Sequence, residues 1–358
     1  MRRRWLLLAA VPLLIAAIPT GSVPPPLRIV PEAPLAAPDE IGLLTYNVQD
    51  LPWPIAGDRS GPLVAIGERL AKLRAAGRAP QFVVLQEAFS DKSIAMLRNA
   101  GYAHIVTGPA VDTPRGVPGA PLSPAFLGAR SRLIGESMGP ALSSGIAIAS
   151  DYPILSAVSE PFPADICAGI DCLANKGVLL ARIAVPGVAR PVELVTTHMN
   201  SGRKSRTPPA HHLYAYAQQL KAMDGFLGRH GDPKALRLIA GDVNVSHSPQ
   251  RLKLLTRHAA RWGVSPVTAM GKPEDVGPCA RAHALCRGKL PIDSNVPLVH
   301  TLDWQFVDRK AGAQFRAISR EVTFGRERGN IMLSDHIGYT VRYKVMPTKA
   351  KVDLTLKF

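Results

Sequence analysis

Short apolar runs that carry a polar side chain at one end recur along this chain. In order they are Leu43-Leu44-Thr45-Tyr46-Asn47, Phe82-Val83-Val84-Leu85-Gln86-Glu87, Val195-Thr196-Thr197-His198, Leu238-Ile239-Ala240-Gly241-Asp242-Val243-Asn244, Leu302-Asp303-Trp304 and Ser334-Asp335-His336. Such runs read as buried strands, and strand ends are where a sheet presents side chains to a common cleft. Between the runs the apolar period lengthens. Leu63, Ile66, Leu70 and Leu73 recur at spacings of three and four, predicting a helix that Gly77 ends. Asp91 predicts the cap of a shorter helix through Leu97. Leu213, Tyr216, Ala217, Leu220 and Met223 form the stripe of a third, which stops at the glycine break of 228–231, and a fourth is predicted around 251–257. Strands separated by such helices indicate a layered α/β fold. Residues 108–144 hold many Gly and Pro residues and precede an apolar run at 145–150, which makes them a candidate wall of the cleft.

The chain has 358 residues and is 46% hydrophobic, enough for one large core. No internal repeat interrupts it, and the polar-ended runs extend through nearly its whole length, so one catalytic domain is expected over residues 40–345. Arg2-Arg3-Arg4, an apolar run from Trp5 to Ile18 and then Pro19-Thr20-Gly21-Ser22 read as an export signal over 1–22. The run is shorter than the roughly 20 residues a membrane span needs; an uncleaved anchor is the alternative. Residues 23–39 are a Pro-rich linker and 346–358 a basic tail. The expected location is therefore secreted or periplasmic. Four cysteines agree with export: Cys167 and Cys172 are five apart and Cys279 and Cys286 seven apart, so of the three possible pairings the one that joins near neighbours is expected, with a zinc site as the alternative that the missing Cys-x-x-Cys spacing disfavours. A formal net charge of +16 favours polyanions, either nucleic acid or a phosphate-bearing membrane surface.

The ordered series of motifs resembles the endonuclease/exonuclease/phosphatase superfamily. Within it, Asp171 followed by Asn175-Lys176-Gly177 before an apolar run at 178–183 resembles the bacterial neutral sphingomyelinases. The resemblance implies a four-layer α/β/β/α sandwich with two packed mixed sheets. It also implies a hydrolase that uses Mg²⁺, with Mn²⁺ or another divalent cation as alternatives.

Glu87 is the foremost metal ligand, since a carboxylate ending an apolar strand needs a cation or a basic partner. A salt bridge to an arginine is its bland alternative. Asn47 offers an amide oxygen to the metal and a nitrogen to phosphate. Abasic-site endonucleases carry an aspartate two residues after this asparagine; here Gln49 stands there. His336 suits a general base. By resemblance Asp303 is its partner, Asp335 holds the metal region and Asp242 orients the attacking water. Also by resemblance, Asn244 binds phosphate, His198 donates to a phosphoryl oxygen, and Lys176, positioned by Asp171, meets the substrate phosphate. The remaining histidines, among them His211, His212 and His258, read as helix-face or surface residues. No Gly-rich nucleotide loop or serine elbow is present, so direct hydroxide attack is expected.

The expected substrate is a phospholipid at a membrane surface. A secreted nuclease acting on nucleic acid and a non-enzymatic surface-binding protein are the alternatives, and no protein partner is inferred. One departure weighs against the lipid: residues 308–333, where secreted sphingomyelinases often carry an aromatic hairpin, offer only Phe315 and Phe324.

Overall fold

Leu43 and Leu44 point to opposite sides of one strand, and both are fully buried. Leu43 joins a core shared by two sheets, whereas Leu44 joins a core beneath helices. Burial on both faces is what makes these strands continuous apolar runs rather than alternating ones. The computed structural model describes residues 38–53, 55–245, 248–267, 302–309, 315–325 and 332–346.

The first sheet holds β1 (Glu40–Asp50), β2 (Phe82–Ala88), β3 (His104–Thr107), β4 (Ala147–Ser150), β11 (Phe315–Phe324) and β12 (Gly338–Val345), in the order β11-β12-β1-β2-β4-β3. The second holds β5 (Ile154–Pro161), β6 (Gly177–Ile183), β7 (Val192–His198), β8 (Arg237–Asp242), β9 (Val264–Pro266) and β10 (Asp303–Asp308), in the order β5-β6-β7-β8-β10-β9. Each sheet is mixed, with one parallel pair, β1 with β2 and β7 with β8. A parallel pair needs a crossover, and the chain supplies helix α1 (Ser60–Ala75) for the first pair and α4 (Pro209–His230) for the second.

Leu43, Phe82, Val84 and Val341 of the first sheet pack against Leu179, Leu194 and Leu238 of the second. Outside the first sheet lie α1 and α2 (Asp91–Asn99), through Leu63, Ile66, Leu70, Met96 and Leu97. Outside the second lie α4 and α5 (Pro249–Arg261), through Tyr216, Leu220, Met223 and Leu255. The result is the four-layer α/β/β/α sandwich. One short helix, α3 (Pro124–Gly128), falls within the long loop and buries Phe126 against Ala215 of α4.

The helices differ from the sequence reading at their ends. The α1 helix stops two residues before Gly77, whose φ of 68° suits the left-handed turn that follows. Ser90, not Asp91, occupies the N-cap of α2, and its hydroxyl donates to Asp50 instead of capping the helix. The α4 helix runs through Gly228 to His230, because Phe226 and Leu227 remain buried against the sheet. Packing outweighs the glycine's intrinsic cost of about 1 kcal/mol. Phe315 and Phe324 are buried at the two ends of β11, the latter stacked on Tyr46 at 4.8 Å, so neither ring is offered to the surface. No helix among the described residues is long and apolar enough to cross a membrane. The signal 1–22, residues 23–37 of the linker, residues 347–358 of the tail and the Cys279/Cys286 pair lie outside the described residues.

Candidate active site

Parallel neighbours end at the same edge of a sheet, and antiparallel neighbours start there. Hence Asn47 and Glu87 leave β1 and β2 at one edge, and His198 and Asp242 end β7 and β8 at the corresponding edge of the second sheet, in register with each other. Asp303 begins β10 directly opposite Asp242. His336 lies just before β12, whose Tyr339 pairs with Thr45. Asp303 therefore starts its strand, and Asp335 and His336 precede theirs, rather than ending them. Gly241 makes the close approach of β8 to β7 possible: a Cβ there would lie 2.3 Å from the Thr197 carbonyl oxygen. Glu87 and Asn244 have φ of 52° and 50°, a costly conformation for residues with a Cβ that recurs at functional sites.

His336 Nδ1 lies 2.8 Å from Asp303 Oδ2, and its Nε2 lies 3.8 Å from Asp242 Oδ2. All three side chains are buried. Burial alone would lower the His336 pKa, but Asp303, then Asp242 and Asp335, outweigh it and lift the imidazole to about 10. Burial raises Asp242 to about 7 against the pull of His336. His198 is held well below the usual histidine range, first by burial and then by the cationic Lys176, so it is neutral at pH 7.

Glu87 Oε1 accepts a hydrogen bond from Asn47 Nδ2 at 3.0 Å, while its Oε2 is buried with no hydrogen-bond partner among the described residues. An orphaned carboxylate oxygen is costly, and its hard, anionic character fits a hard divalent cation. Asn47 Nδ2 also donates to Asp242 at 3.2 Å, and Asn47 Oδ1 accepts from the Gln49 amide. Asn47 thus ties Glu87 to Asp242 across the two sheets. Asp335 pairs with Lys204, and with His336 this keeps its carboxyl below the usual range although burial acts the other way. Asp242, Asp303 and His336 also cluster closely enough to share an ion. The direct His336–Asp303 bond leaves no space for one between those two atoms, so Glu87 is the better anchor.

Lys176 Nζ forms a buried pair with Asp171 and lies 3.2 Å from His198 Nε2 and 3.3 Å from the Met199 carbonyl oxygen. Asp171 in turn accepts from the Ser201 amide at 3.3 Å. Asn244 Nδ2 donates to the Met199 carbonyl at 2.9 Å. The Cys167–Cys172 disulfide closes the short segment that presents Asp171. Peptide mapping of protein purified without reductant is expected to recover this bond intact; free thiols at both positions would contradict it.

Most of these groups, though not Asn47 or Asp303, line a cavity of about 420 Å³. Glu87, Asp242, Asn244, Lys176, His198 and His336 form its polar floor, and Leu51, Ile55, Phe89, Leu142, Ile170 and Leu173 form an apolar wall. The long loop contributes only Leu142 to that wall. Its larger role is anchorage: buried Glu136 accepts from the Gly169 amide at 2.7 Å and contacts His211 Nε2 at 2.8 Å, and Arg115 donates to Asn175 at 2.7 Å.

His211 and His212 lie on one helix with different partners, as residues on different sides of it should, whereas His258, read from the sequence as a surface residue, is buried. His211 is bound to Glu136, His212 touches Arg251, and His258 is buried against Asp224. Histidine alone on a polar-looking helix face gives no signal of the carboxylate it will meet. Lys204 and Arg251 carry no signal in the sequence, since an isolated basic residue in a chain of charge +16 stands out from nothing.

A profile of the Endonuclease/Exonuclease/phosphatase family matches residues 44–336. Comparison with curated protein sequences found no significant match. Among solved structures, a double mutant of beta toxin from Staphylococcus aureus with bound magnesium ions is 21% identical, covering 84% of this chain and 99% of that one, TM-score 0.55. Sphingomyelinase C from Streptomyces griseocarneus is 19% identical over 85% of this chain and 99% of its own, TM-score 0.52. D. rerio TDP2 complexed with a single-strand DNA product is 13% identical over 86% and 99%, TM-score 0.51. Likeness at these identities carries the fold alone.

Proposed function

The chain belongs to the endonuclease/exonuclease/phosphatase family, and on that premise we propose that it is an exported, Mg²⁺-dependent phosphodiesterase that hydrolyses a phospholipid head-group ester in the manner of a sphingomyelinase. The observation that carries the reading is the polar floor beside an apolar wall in one cavity. The floor suits a phosphate and a cation; the wall suits the aliphatic part of a lipid. The magnesium in the beta toxin structure and the sphingomyelinase neighbour support it. The nuclease reading draws its support from the charge of +16 and from the DNA-bound neighbour.

His336 takes a proton at Nε2 from a water that Asp242 orients, and Asp303 holds the ring by Nδ1 and stabilises the imidazolium. The resulting hydroxide attacks phosphorus in line with the leaving oxygen, with no covalent enzyme intermediate. Lys176, neutral His198 and Asn244 supply donors where charge develops on the phosphoryl oxygens. Lys176 is held for this by Asp171. Glu87 would hold the cation, with Asp335 and the Oδ1 of Asn47 as the further ligands the resemblance implies, and when bound it would neutralise charge on the phosphate and the leaving group.

A base acts in its neutral form, so kcat/KM should rise with pH as His336 loses its proton. Asp303 is the foremost group lifting that pKa. Asp303→Asn should therefore move the ascending limb to lower pH while the plateau falls. A limb that stays in place would show that another group titrates. The function itself is tested by assaying the purified protein with Mg²⁺ on sphingomyelin, phosphatidylcholine and plasmid DNA in parallel. Lipid hydrolysis is expected, and DNA cleavage faster than that of either lipid would replace this reading with the nuclease.

A further inference from the structure

Arg251 is almost fully buried in the first turn of α5, two residues after Pro249. The Ser248 hydroxyl caps the helix by accepting from the Arg251 amide at 3.3 Å. The guanidinium stacks over the Tyr216 ring at 4.4 Å. Its Nη1 donates to the carbonyl oxygens of Asn200 at 2.6 Å and Asn244 at 2.8 Å. Its Nη2 donates to the Ser201 carbonyl at 3.0 Å and lies 2.9 Å from His212 Nδ1.

Among the described residues no carboxylate makes an ion pair with this charge, so its burial is compensated mainly by backbone oxygens. A buried cation without a counter-charge is an expensive way to fill space. A rigid fork of donors is, however, well suited to holding several carbonyls in one geometry. The carbonyls it joins belong to the turn after β7, which follows His198, and the turn after β8, which carries Asn244. The first turn is also bound on the cavity side, where the Ser201 amide donates to Asp171 and Asn244 Nδ2 to the Met199 carbonyl.

We infer that Arg251 is a positioning residue: by clamping these two turns to each other from behind, its guanidinium fixes His198 and Asn244 in the spacing that receives the phosphoryl oxygens. The inference rests on the roles proposed above for His198 and Asn244. It places in α5 a residue that never touches the substrate but on which turnover depends.

The test uses the full chain with Mg²⁺ and whichever of sphingomyelin, phosphatidylcholine or plasmid DNA the wild type cleaves. Arg251→Lys keeps the charge but cannot span the same carbonyls. Its kcat should fall about 10-fold or more with KM nearly unchanged, and Arg251→Met should lose on the order of 10²-fold, as displacement of catalytic groups by about 1 Å does. Competitive inhibition by inorganic phosphate should weaken in the same order. A folded Arg251→Lys protein, judged by near-UV circular dichroism, that retains wild-type kcat and phosphate inhibition overturns the inference, even with a lowered melting temperature. That variant decides the matter if Arg251→Met does not fold. A wild type that cleaves none of the three substrates removes the functional reading, and this inference with it.

Discussion

His336→Ala is expected to lower kcat by at least ~10², the loss typical of a positioned general base. Nothing else on the cavity floor can replace it. His198 is neutral, but its Nε2 already faces Lys176 and Asp242. Asp242 could accept a proton, yet it is the group that orients the water in this mechanism. The substitution also leaves Asp242 and Asp303 without the imidazolium between them. Like charges this close disfavour double ionisation, so the variant should bind an additional proton and be least stable at high pH. The sign follows from Asp242, whose pKa is already raised to about 7 in the folded protein. A group raised in the fold contributes stability at low pH that is lost as pH climbs through the folded value. Measuring kcat from pH 6 to 9 for the folded variant checks the prediction. Near-normal turnover across that range would place the base elsewhere.

Chelation is expected to abolish activity and added Mg²⁺ to restore it, whereas Glu87→Gln should stay severely impaired at any Mg²⁺ concentration tested. Glu87 Oε2 is a buried carboxylate oxygen without a hydrogen-bond partner among the described residues, and amidation removes the charge while keeping the shape. Melting curves give a readout independent of turnover. Ligand at 100 times its Kd stabilises by about 2.7 kcal/mol, so Mg²⁺ should raise the wild-type melting temperature by several degrees. The same addition should shift Glu87→Gln little. Full turnover in excess chelator, or an equal thermal shift in both proteins, would defeat the metal assignment.

The substrate is decided by other features than the chemistry. Phe315 and Phe324, the aromatic side chains in the region where a membrane hairpin is often found, are core residues. Any lipid preference must therefore come from elsewhere, and the apolar wall beside the polar floor is the feature that offers it.

The sequence by itself determined the strands and the polar residues at their ends. A strand buried between a sheet and a helix layer must be apolar on both faces, and so its polar terminus is conspicuous in one dimension. That is why Asn47, Glu87, His198, Asp242 and Asn244 were legible before any geometry, and why their order indicated the four-layer sandwich through its family resemblance. Which of these groups meet was settled by tertiary structure alone. His336 reaches Asp303 because β12 and β10 start at the same edge of different sheets, and Asn47 reaches Asp242 across 195 residues of sequence. The supporting residues were the least legible. Arg251, Glu136, His211 and Lys204 are polar residues whose type predicts a solvated surface. Their burial or pairing depends on which carbonyl or carboxylate packing brings within about 3 Å, and hydrophobic periodicity carries no trace of that.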